Sequence, residues 1–321
     1  MSAAPTEQRF RSGPQRLSIG PRALSGCADE TVKAPPLGLG IVLLGASLLL
    51  AVGEKGHRLK HVDLSLSSII MAYVNSYKAP EAPVFPSMYY GPDPYDINFS
   101  LPIHEASLES DRIKLTPFIP ALHVREYWDQ ATHTPEIYRF FSIQPETIDD
   151  FLFFLETHFR SNPNSIFFAI IDKGRGGTLV GVIALHRTEP SNLSTEIGYV
   201  IILPAYQRTY VTSNAVGILL RYCLELPNAP RPGLGLRRVQ WMADLSNNPS
   251  YNAAVRMGFR YEGILRWRRV IPEGKEGNGS PLRAGDPSKC SSGDSKLLSF
   301  CADDWEGGGR ENVERAINRQ V

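Results

Sequence analysis

The chain has 321 residues, of which 42% are hydrophobic and 21% charged, and its formal net charge is +1. This size allows one sizeable domain with additional segments, and the near-neutral charge gives no reason to expect a nucleic-acid partner. The four cysteines, Cys27, Cys223, Cys290 and Cys301, lack the spacing of a metal site or a disulfide framework. A reducing compartment is therefore the simpler interpretation, with Cys223 a buried small hydrophobic residue of an apolar helix.

The N-terminal region, residues 1–104, differs in composition from the rest. Its first 28 residues contain four arginines and one acidic residue, a composition that mitochondrial presequences share with disordered tails. Residues 37–53 carry no charge and lie at the lower length limit of a membrane span, so a membrane anchor and a non-spanning apolar tail are both open. We expect a disordered or targeting-like region that precedes a cytoplasmic catalytic domain. A mitochondrial or membrane-anchored protein is the alternative.

From residue 105 onward, hydrophobic periodicity predicts a folded domain that extends to residue 321. Alternation at 111–118 predicts a strand, and helical spacing follows at 120–131 and 146–159, with Thr147 close to the second helix cap. Two apolar runs, 165–172 and 178–187, flank a glycine-rich turn and predict a hairpin.

The second half of this domain continues with a strand at 195–203 and a helix at 212–226. Strands at 236–244, 262–271 and 295–303 follow, with a short helix at 250–257 that Gly258 ends and a polar helix at 310–320. A glycine- and serine-rich insertion, 272–294, separates the last two strands. This order predicts an α+β domain with a largely antiparallel sheet and one strand–helix crossover.

Two stretches carry a family resemblance: "STEIGYVI" with the following "AYQ", and "LRRVQWMADLSNNPSYNAAVRMGFRYEGILR". They resemble the GNAT superfamily of acyl-CoA-dependent N-acetyltransferases, and in particular the ribosomal-protein N-terminal acetyltransferases. The most specific residues are Asn247-x-x-Ser250 and the run from Met257 to Arg266, and Trp305 also stands in its expected place. The resemblance spans about residues 111–305. It implies the GNAT fold, in which a mixed, mostly antiparallel central sheet is flanked by helices.

The resemblance also implies acetyl-CoA as co-substrate and no metal. The strand that ends at Leu203 would splay from the one that begins near Leu236, with the pantetheine arm between them and the pyrophosphate on the following turn. In the family this turn reads Gln/Arg-x-x-Gly-x-Gly/Ala, whereas here Gln207 matches and Tyr210 and Thr212 replace the small residues. The predicted cofactor-binding residues are Ile201, Ile202, Leu203, Gln207, Arg208, Thr209, Tyr210, Val211, Thr212 and Asn247.

The turn has no glycine, although a phosphate needs free N–H donors rather than glycine itself. We therefore predict a modified, weaker phosphate cradle. In it the ring of Tyr210 narrows the approach of the pyrophosphate and contributes little to its binding. The alternative is an ordinary loop that caps a helix. Asn247 is likewise either a cofactor ligand or a turn-former.

Three residues are candidates for catalysis. Glu196 is the predicted general base, if burial raises its pKa toward neutrality, and a surface acid is the alternative. Ser250 and Tyr251 are candidates to protonate the departing thiolate, with helix capping as the competing role of Ser250. The scattered histidines give no metal-site spacing.

The expected reaction is acetyl transfer from acetyl-CoA to a primary amine by direct attack in a ternary complex. The acceptor is a peptide N-terminus or a small molecule, and by resemblance it would meet Tyr127, Trp128 and the segment around Trp267. A catalytically weak GNAT-fold binding module is the alternative, which the missing glycines favour. The sequence does not predict the oligomeric state, and membrane contact through 37–53 stays open.

Overall fold

The computed structural model describes Met88 to Arg319. The predicted targeting-like region up to residue 87, with its apolar run 37–53, lies outside the described residues. Among the residues from 88 to 319, no helix is long and apolar enough to cross a membrane.

Within this part of the chain, seven strands form one mixed sheet. They are β1 (Ile113–Pro117), β2 (Ile166–Asp172), β3 (Thr178–Glu189), β4 (Ser194–Ile202), β5 (Arg238–Asp244), β6 (Arg260–Val270) and β7 (Ser292–Cys301). Their order in the sheet is β1-β2-β3-β4-β5-β7-β6. All neighbours pair antiparallel except β4 and β5, which pair parallel. The predicted α+β fold with a mixed, mostly antiparallel sheet is confirmed.

Two of the helix ends carry the predicted local signals. They are α1 (Pro120–Ala131), α2 (Ile148–Leu155), α3 (Val211–Leu224), α4 (Asn248–Arg256), α5 (Ala302–Asp304) and α6 (Arg310–Asn318). Thr147 caps α2 by accepting from the Asp150 N–H at 3.1 Å, and the Asp150 carboxylate accepts from the Thr147 N–H at 2.8 Å. This reciprocal pair is a capping box. Gly258, with a φ of +99°, ends α4 as predicted.

Hydrophobic side chains pack on both faces of the sheet because consecutive strand residues point to opposite sides. In β2, Phe168 and Ile170 join the core cluster that contains α3 and α6, whereas Phe167 and Ala169 join the cluster that contains α1 and α2. Cys223 is fully buried in the first cluster, which confirms its predicted hydrophobic role, and burial raises the pKa of its thiol.

The segment before residue 105 also contacts the core. Ile97, Phe99, Leu101 and Ile103 pack against the cluster that contains α3. The buried Tyr222 hydroxyl of α3 donates to the carbonyl of Pro102 at 2.5 Å. We therefore propose that the folded domain begins before residue 105.

Candidate active site

The sheet opens between its two parallel strands. β4 and β5 pair over only four residues, from Ser194 to Ile197 of β4 against residues 238–241 of β5. Beyond this point β4 continues to Ile202 without a partner on the β5 side. The predicted splaying of the two strands is confirmed.

A bulge in β4 marks the start of this opening. Ala184 of β3 pairs with Gly198 of β4, but the next recorded pair joins Val182 to Ile201, so β4 has an extra residue. Tyr199, within the bulge, takes a left-handed φ of +49°. Because bulges bend and twist a strand, this one turns β4 away from β5.

A cleft of about 920 Å³ occupies the opening. The start of α3 lines one end, and His186, Glu196 and several arginines line the other. At about 3.3 Å per residue, the β4 segment from Glu196 to Ile202 separates the two ends by roughly 20 Å. The cleft therefore has two chemically distinct ends.

The first end is the start of α3, which offers unpaired backbone donors. The N-cap residue Tyr210 provides no side-chain cap, although the Val211 N–H donates to Thr209 Oγ1 at 3.4 Å. Asn214 is the first residue whose N–H bonds back to a backbone carbonyl, that of Tyr210 at 2.9 Å. Within residues 88–319, the N–H groups of Thr212 and Ser213 have no acceptor, and both residues line the cleft. Free N–H groups and the positive end of the helix dipole together favour a bound anion.

Tyr210 has a structural role that the sequence did not predict. Its hydroxyl donates to Asp172 Oδ2 at 2.7 Å, and the guanidinium carbon of Arg112 lies 4.9 Å from the ring centroid. The ring thus ties the turn to the end of β2 and to the residue before β1, while Tyr210 also lines the cleft. That the ring contributes little to co-substrate binding stays a prediction. Tyr210→Gly would remove this anchor.

The other predicted cofactor residues divide into two groups. Ile201, Ile202, Gln207, Arg208 and Thr209 line the cleft, and the Gln207 amide donates to the Ile202 carbonyl at 3.0 Å.

The second group, Leu203 and Val211, does not line the cleft. Leu203 is fully buried and donates its N–H to the β3 carbonyl of Val180 at 3.0 Å, and Val211 is buried in the core. The structure does not bring these two residues to the cleft, because the side chain of each is packed in a hydrophobic core cluster.

Asn247 and Ser250 lie together on the β5 side of the cleft. Asn247 is the N-cap of α4: its Oδ1 accepts from the Ser250 N–H at 3.1 Å. The competing role of Ser250 as helix cap is therefore wrong. Instead the Ser250 hydroxyl oxygen accepts from Trp241 Nε1 at 3.0 Å, which leaves its own proton free to donate.

Tyr251 does not reach the cleft. Its ring packs edge-on against Tyr261, with centroids 6.3 Å apart, and Lys296 Nζ lies 4.7 Å from its centroid. Because adjacent helical residues point in different directions, Ser250 faces the cleft and Tyr251 does not. The structure thus gives no support to Tyr251 as an acid.

At the second end of the cleft, Glu196 is buried within a hydrogen-bond network. Its Oε1 lies 3.0 Å from His186 Nε2, and its Oε2 accepts from Arg187 Nη1 at 2.9 Å and Gln240 Nε2 at 3.1 Å. Burial by itself raises the pKa of Glu196, but the hydrogen bonds and charges of His186 and Arg187 outweigh it and lower the pKa. The expectation of a raised pKa is wrong.

His186 is the residue that the sequence interpretation missed. Its ring lines the cleft, with the side chain 13% exposed. Gly198 makes room for the ring, since a Cβ there would collide with Nε2. Among the described residues, Nδ1 has no hydrogen-bond partner, so it is available to the cleft. His186 pairs opposite Glu196 through a register shift between His186 and Glu189, which no sequence signal indicates.

Of the residues expected to meet the acceptor, only the segment around Trp267 reaches the cleft, through Arg268 and Arg269. Tyr127 is fully buried, with its hydroxyl 3.0 Å from that of Tyr138, and Trp128 packs beside Phe151. Trp267 is exposed and also stands outside the cleft. Together with these β6 residues, the segment 136–142 forms the wall of this end of the cleft.

The predicted insertion holds this wall in place. Lys275 donates to the carbonyls of Tyr138, Phe141 and Ile143 at 2.8, 2.7 and 2.9 Å. Burial and the charge of Arg269 lower the pKa of Lys275 to about 8. The connection between β6 and β7 therefore fixes the loop after α1.

Comparisons with known proteins agree with this geometry. Residues 112–260 match the family described as "Acetyltransferase (GNAT) domain". No curated protein sequence matches the chain. A solved GCN5-related N-acetyltransferase from Brucella melitensis is 24% identical, covering 65% of this chain and 84% of its own, with a TM-score of 0.53. One of the "probable acetyltransferases (GNAT family)" from Chromobacterium violaceum is 23% identical, covering 64% and 90%, with a TM-score of 0.52.

Residues 112–260 are thus a GNAT acetyltransferase domain, and the enzyme class is that of the acyltransferases. The structural likenesses show the GNAT fold. GNAT enzymes use acetyl-CoA and act on amines.

Proposed function

We propose that this chain transfers an acetyl group from acetyl-CoA to a primary amine, on a protein N-terminus or a small molecule. The attack is direct and occurs in a ternary complex. The observation that carries the proposal is the opening between β4 and β5, which ends at the uncapped start of α3. An unpaired strand edge can pair with the amides of pantetheine, and free helical N–H groups can bind the pyrophosphate.

The charges at the α3 end suit an anionic co-substrate. Arg208, Arg256 and Arg319 line this part of the cleft, and charge-assisted bonds from arginine to phosphate are strong. Asn247 uses only Oδ1 for its cap, so its Nδ2 can donate to the co-substrate. These residues would hold acetyl-CoA, which supplies the acetyl thioester.

We assign the general base to His186. An amine is protonated at neutral pH and must lose a proton before it attacks. Glu196 has a lowered pKa and already accepts three hydrogen bonds, whereas the Nδ1 of His186 is unpartnered. In this arrangement Glu196 fixes the orientation and tautomer of the imidazole, as a carboxylate beside a histidine commonly does.

The remaining groups act on the leaving thiolate and on the carbonyl. The Ser250 proton is free to pass to the sulfur as the carbon–sulfur bond breaks, while Trp241 holds the hydroxyl oxygen. Backbone N–H groups of β4 beyond Ile197 would stabilise negative charge on the thioester oxygen.

A pair of variants at Thr212 tests the co-substrate site. Proline is tolerated in the first helical turn, and α4 already has Pro249 there, so Thr212→Pro removes one N–H donor and leaves α3 intact. We expect acetyl-CoA affinity to fall about 10- to 100-fold, because the lost bond is to a charged group. Thr212→Ala removes only the hydroxyl and is the matched control.

Calorimetric titration with acetyl-CoA measures this effect, and a thiol-release assay with amines tests transfer. Peptide N-termini and lysine side chains are compared in the same assay, because the sequence resemblance favours a peptide N-terminus. No detectable binding at millimolar acetyl-CoA would overturn the proposed enzyme and favour the binding module instead.

A further inference from the structure

Arg268 and Arg269 are adjacent on β6, yet both line the cleft. Neighbouring strand residues normally point to opposite faces. The pairing of β6 with β7 shifts between Leu265 and Arg269, and Trp267 takes a left-handed φ of +51°. The Trp267 N–H is held by Asp294 Oδ1 at 2.8 Å. This irregularity directs two consecutive arginines into one space.

The cleft arginines of this end differ in how they are paired. Arg269 donates to Asp244 Oδ2 and to the Phe140 carbonyl, both at 2.7 Å. Arg187 donates through one nitrogen, Nη1, to Glu196 and to a methionine sulfur. Arg268 makes no hydrogen bond or ion pair with any residue between 88 and 319. It therefore has five unused N–H donors on a half-buried side chain.

Arg268 has no carboxylate partner of its own among residues 88–319. Glu196 and Asp244 are already engaged by Arg187 and Arg269. The third carboxylate of the cleft, Glu136, is exposed on the segment 136–142. Burial and the charge of Arg187 lower the pKa of Arg268, as expected for a cation near other cations. An anionic ligand would relieve this repulsion.

We propose that Arg268, together with Arg187, binds an oxyanion of the acceptor, so that the substrate is a primary amine carrying a carboxylate close to its nitrogen. The inference rests on the proposed acetyl transfer. A guanidinium matches a carboxylate with two parallel hydrogen bonds. Arg187 shares Glu196 with His186, so an anion held here places the amine beside the proposed base. Arg268 thus selects an anionic amine over a polyamine or a lysine side chain.

The carboxylate could belong to a small amino acid or to an acidic side chain near a peptide N-terminus, and two sets of acceptors separate these sources. The first compares 4-aminobutyrate with its amide. The second compares peptides with Asp, Asn or Lys as second residue. In at least one set we expect kcat/KM to favour the carboxylate about 10- to 100-fold. Arg268→Gln should abolish this preference.

Arg266→Gln is the matched control, since Arg266 is an exposed arginine of β6 outside the cleft. It should keep the preference for the carboxylate acceptor. Arg268→Lys, which keeps the positive charge but lacks the paired N–H donors of a guanidinium, should keep part of that preference. All variants should bind acetyl-CoA like the parent chain. Melting temperatures check that each is folded, and the preference of the unaltered chain tests the inference independently of any variant.

Two results would overturn the inference. One is that neither set favours the carboxylate, so that the amide and the Asn and Lys peptides all give equal or better kcat/KM. The other is an Arg268→Gln variant that loses acetyl-CoA affinity instead of acceptor preference. If no amine is acetylated, the proposed function fails and the same acceptors are titrated calorimetrically with and without CoA. Tighter binding of the carboxylate member that depends on Arg268 would still support the anion site, and equal binding would exclude it.

Discussion

Replacement of His186 by glutamine tests the proposed base directly. The glutamine amide can still donate to Glu196, whose Oε1 lies 3.0 Å from His186 Nε2, but it cannot take a proton from an amine. The substitution therefore keeps the buried carboxylate paired and removes only the basic nitrogen. Any loss of activity then reports on proton transfer rather than on packing.

The expected loss follows from the range typical of general bases. Proton transfer by a positioned side chain contributes about 100- to 10,000-fold in rate. At about 1.4 kcal/mol per tenfold, His186→Gln should raise the barrier by roughly 3–5 kcal/mol. The start of α3 is roughly 20 Å away along β4, so the affinity for acetyl-CoA should not change.

Glu196→Gln is the companion variant. It keeps the imidazole but removes the charge that Arg187 and His186 share, so we expect a smaller loss of kcat and a loss of about 1–3 kcal/mol in the free energy of unfolding. Because the pKa of Glu196 is lowered in the folded chain, its stabilisation is present above the usual value of 4.5 and disappears as the pH falls below it. The unaltered chain should therefore lose stability more steeply than Glu196→Gln in this acidic range.

Single-turnover acetyl transfer at saturating acceptor measures the loss of rate. Calorimetric titration measures the affinity for acetyl-CoA, and denaturant unfolding measures the free energy of unfolding. A His186→Gln enzyme with a rate close to that of the unaltered chain would refute the assignment. If Glu196→Gln alone abolished transfer, the carboxylate would again be the base.

Two further predictions concern the leaving group and the acceptor wall. Ser250→Ala should lower kcat about 10- to 100-fold, because the proton donor is lost, while acetyl-CoA affinity stays the same. Trp241 Nε1 also loses its acceptor, so denaturant unfolding accompanies the thiol-release assay, in which an unchanged kcat would exclude Ser250 as the acid. Lys275→Met should lower the free energy of unfolding by about 1–3 kcal/mol and raise the acceptor KM, because three carbonyls lose their shared donor. Denaturant unfolding and steady-state kinetics check this, and an unchanged acceptor KM would show that the insertion does not shape the acceptor site.

Local signals were sufficient to predict the order of helices and strands. The first helix was predicted at 120–131 and is observed at Pro120–Ala131, because proline at its first position and apolar spacing act within the segment itself. The capping box of Thr147 and the glycine end of α4 at Gly258 are equally local. The opening between β4 and β5 was different: it was implied by the family resemblance and not by periodicity.

Side-chain roles were predicted less well because they depend on distant partners. Ser250 and Tyr251 are adjacent, but only the tertiary packing decides which one faces the cleft. Lys275 contacts carbonyls more than 130 residues earlier in the chain, and no local pattern encodes that contact. His186 was missed for the same reason: counting back from the Glu189–Ser194 pair places Arg187 opposite Glu196, and only a register shift between His186 and Glu189 brings His186 there.

The glycine-free turn shows why missing glycines do not by themselves argue against acetyl-CoA. Glycine serves at such turns because it accepts left-handed φ values and leaves space for the ligand. Here Arg208 takes a φ of +59°, which costs about 1–2 kcal/mol for a residue with a Cβ. The Tyr210 ring is held by Asp172 and Arg112 at the edge of the cleft that Tyr210 also lines. The N–H groups of Thr212 and Ser213 remain available to an anion. The absence of glycine from this turn therefore does not distinguish a binding module from an enzyme.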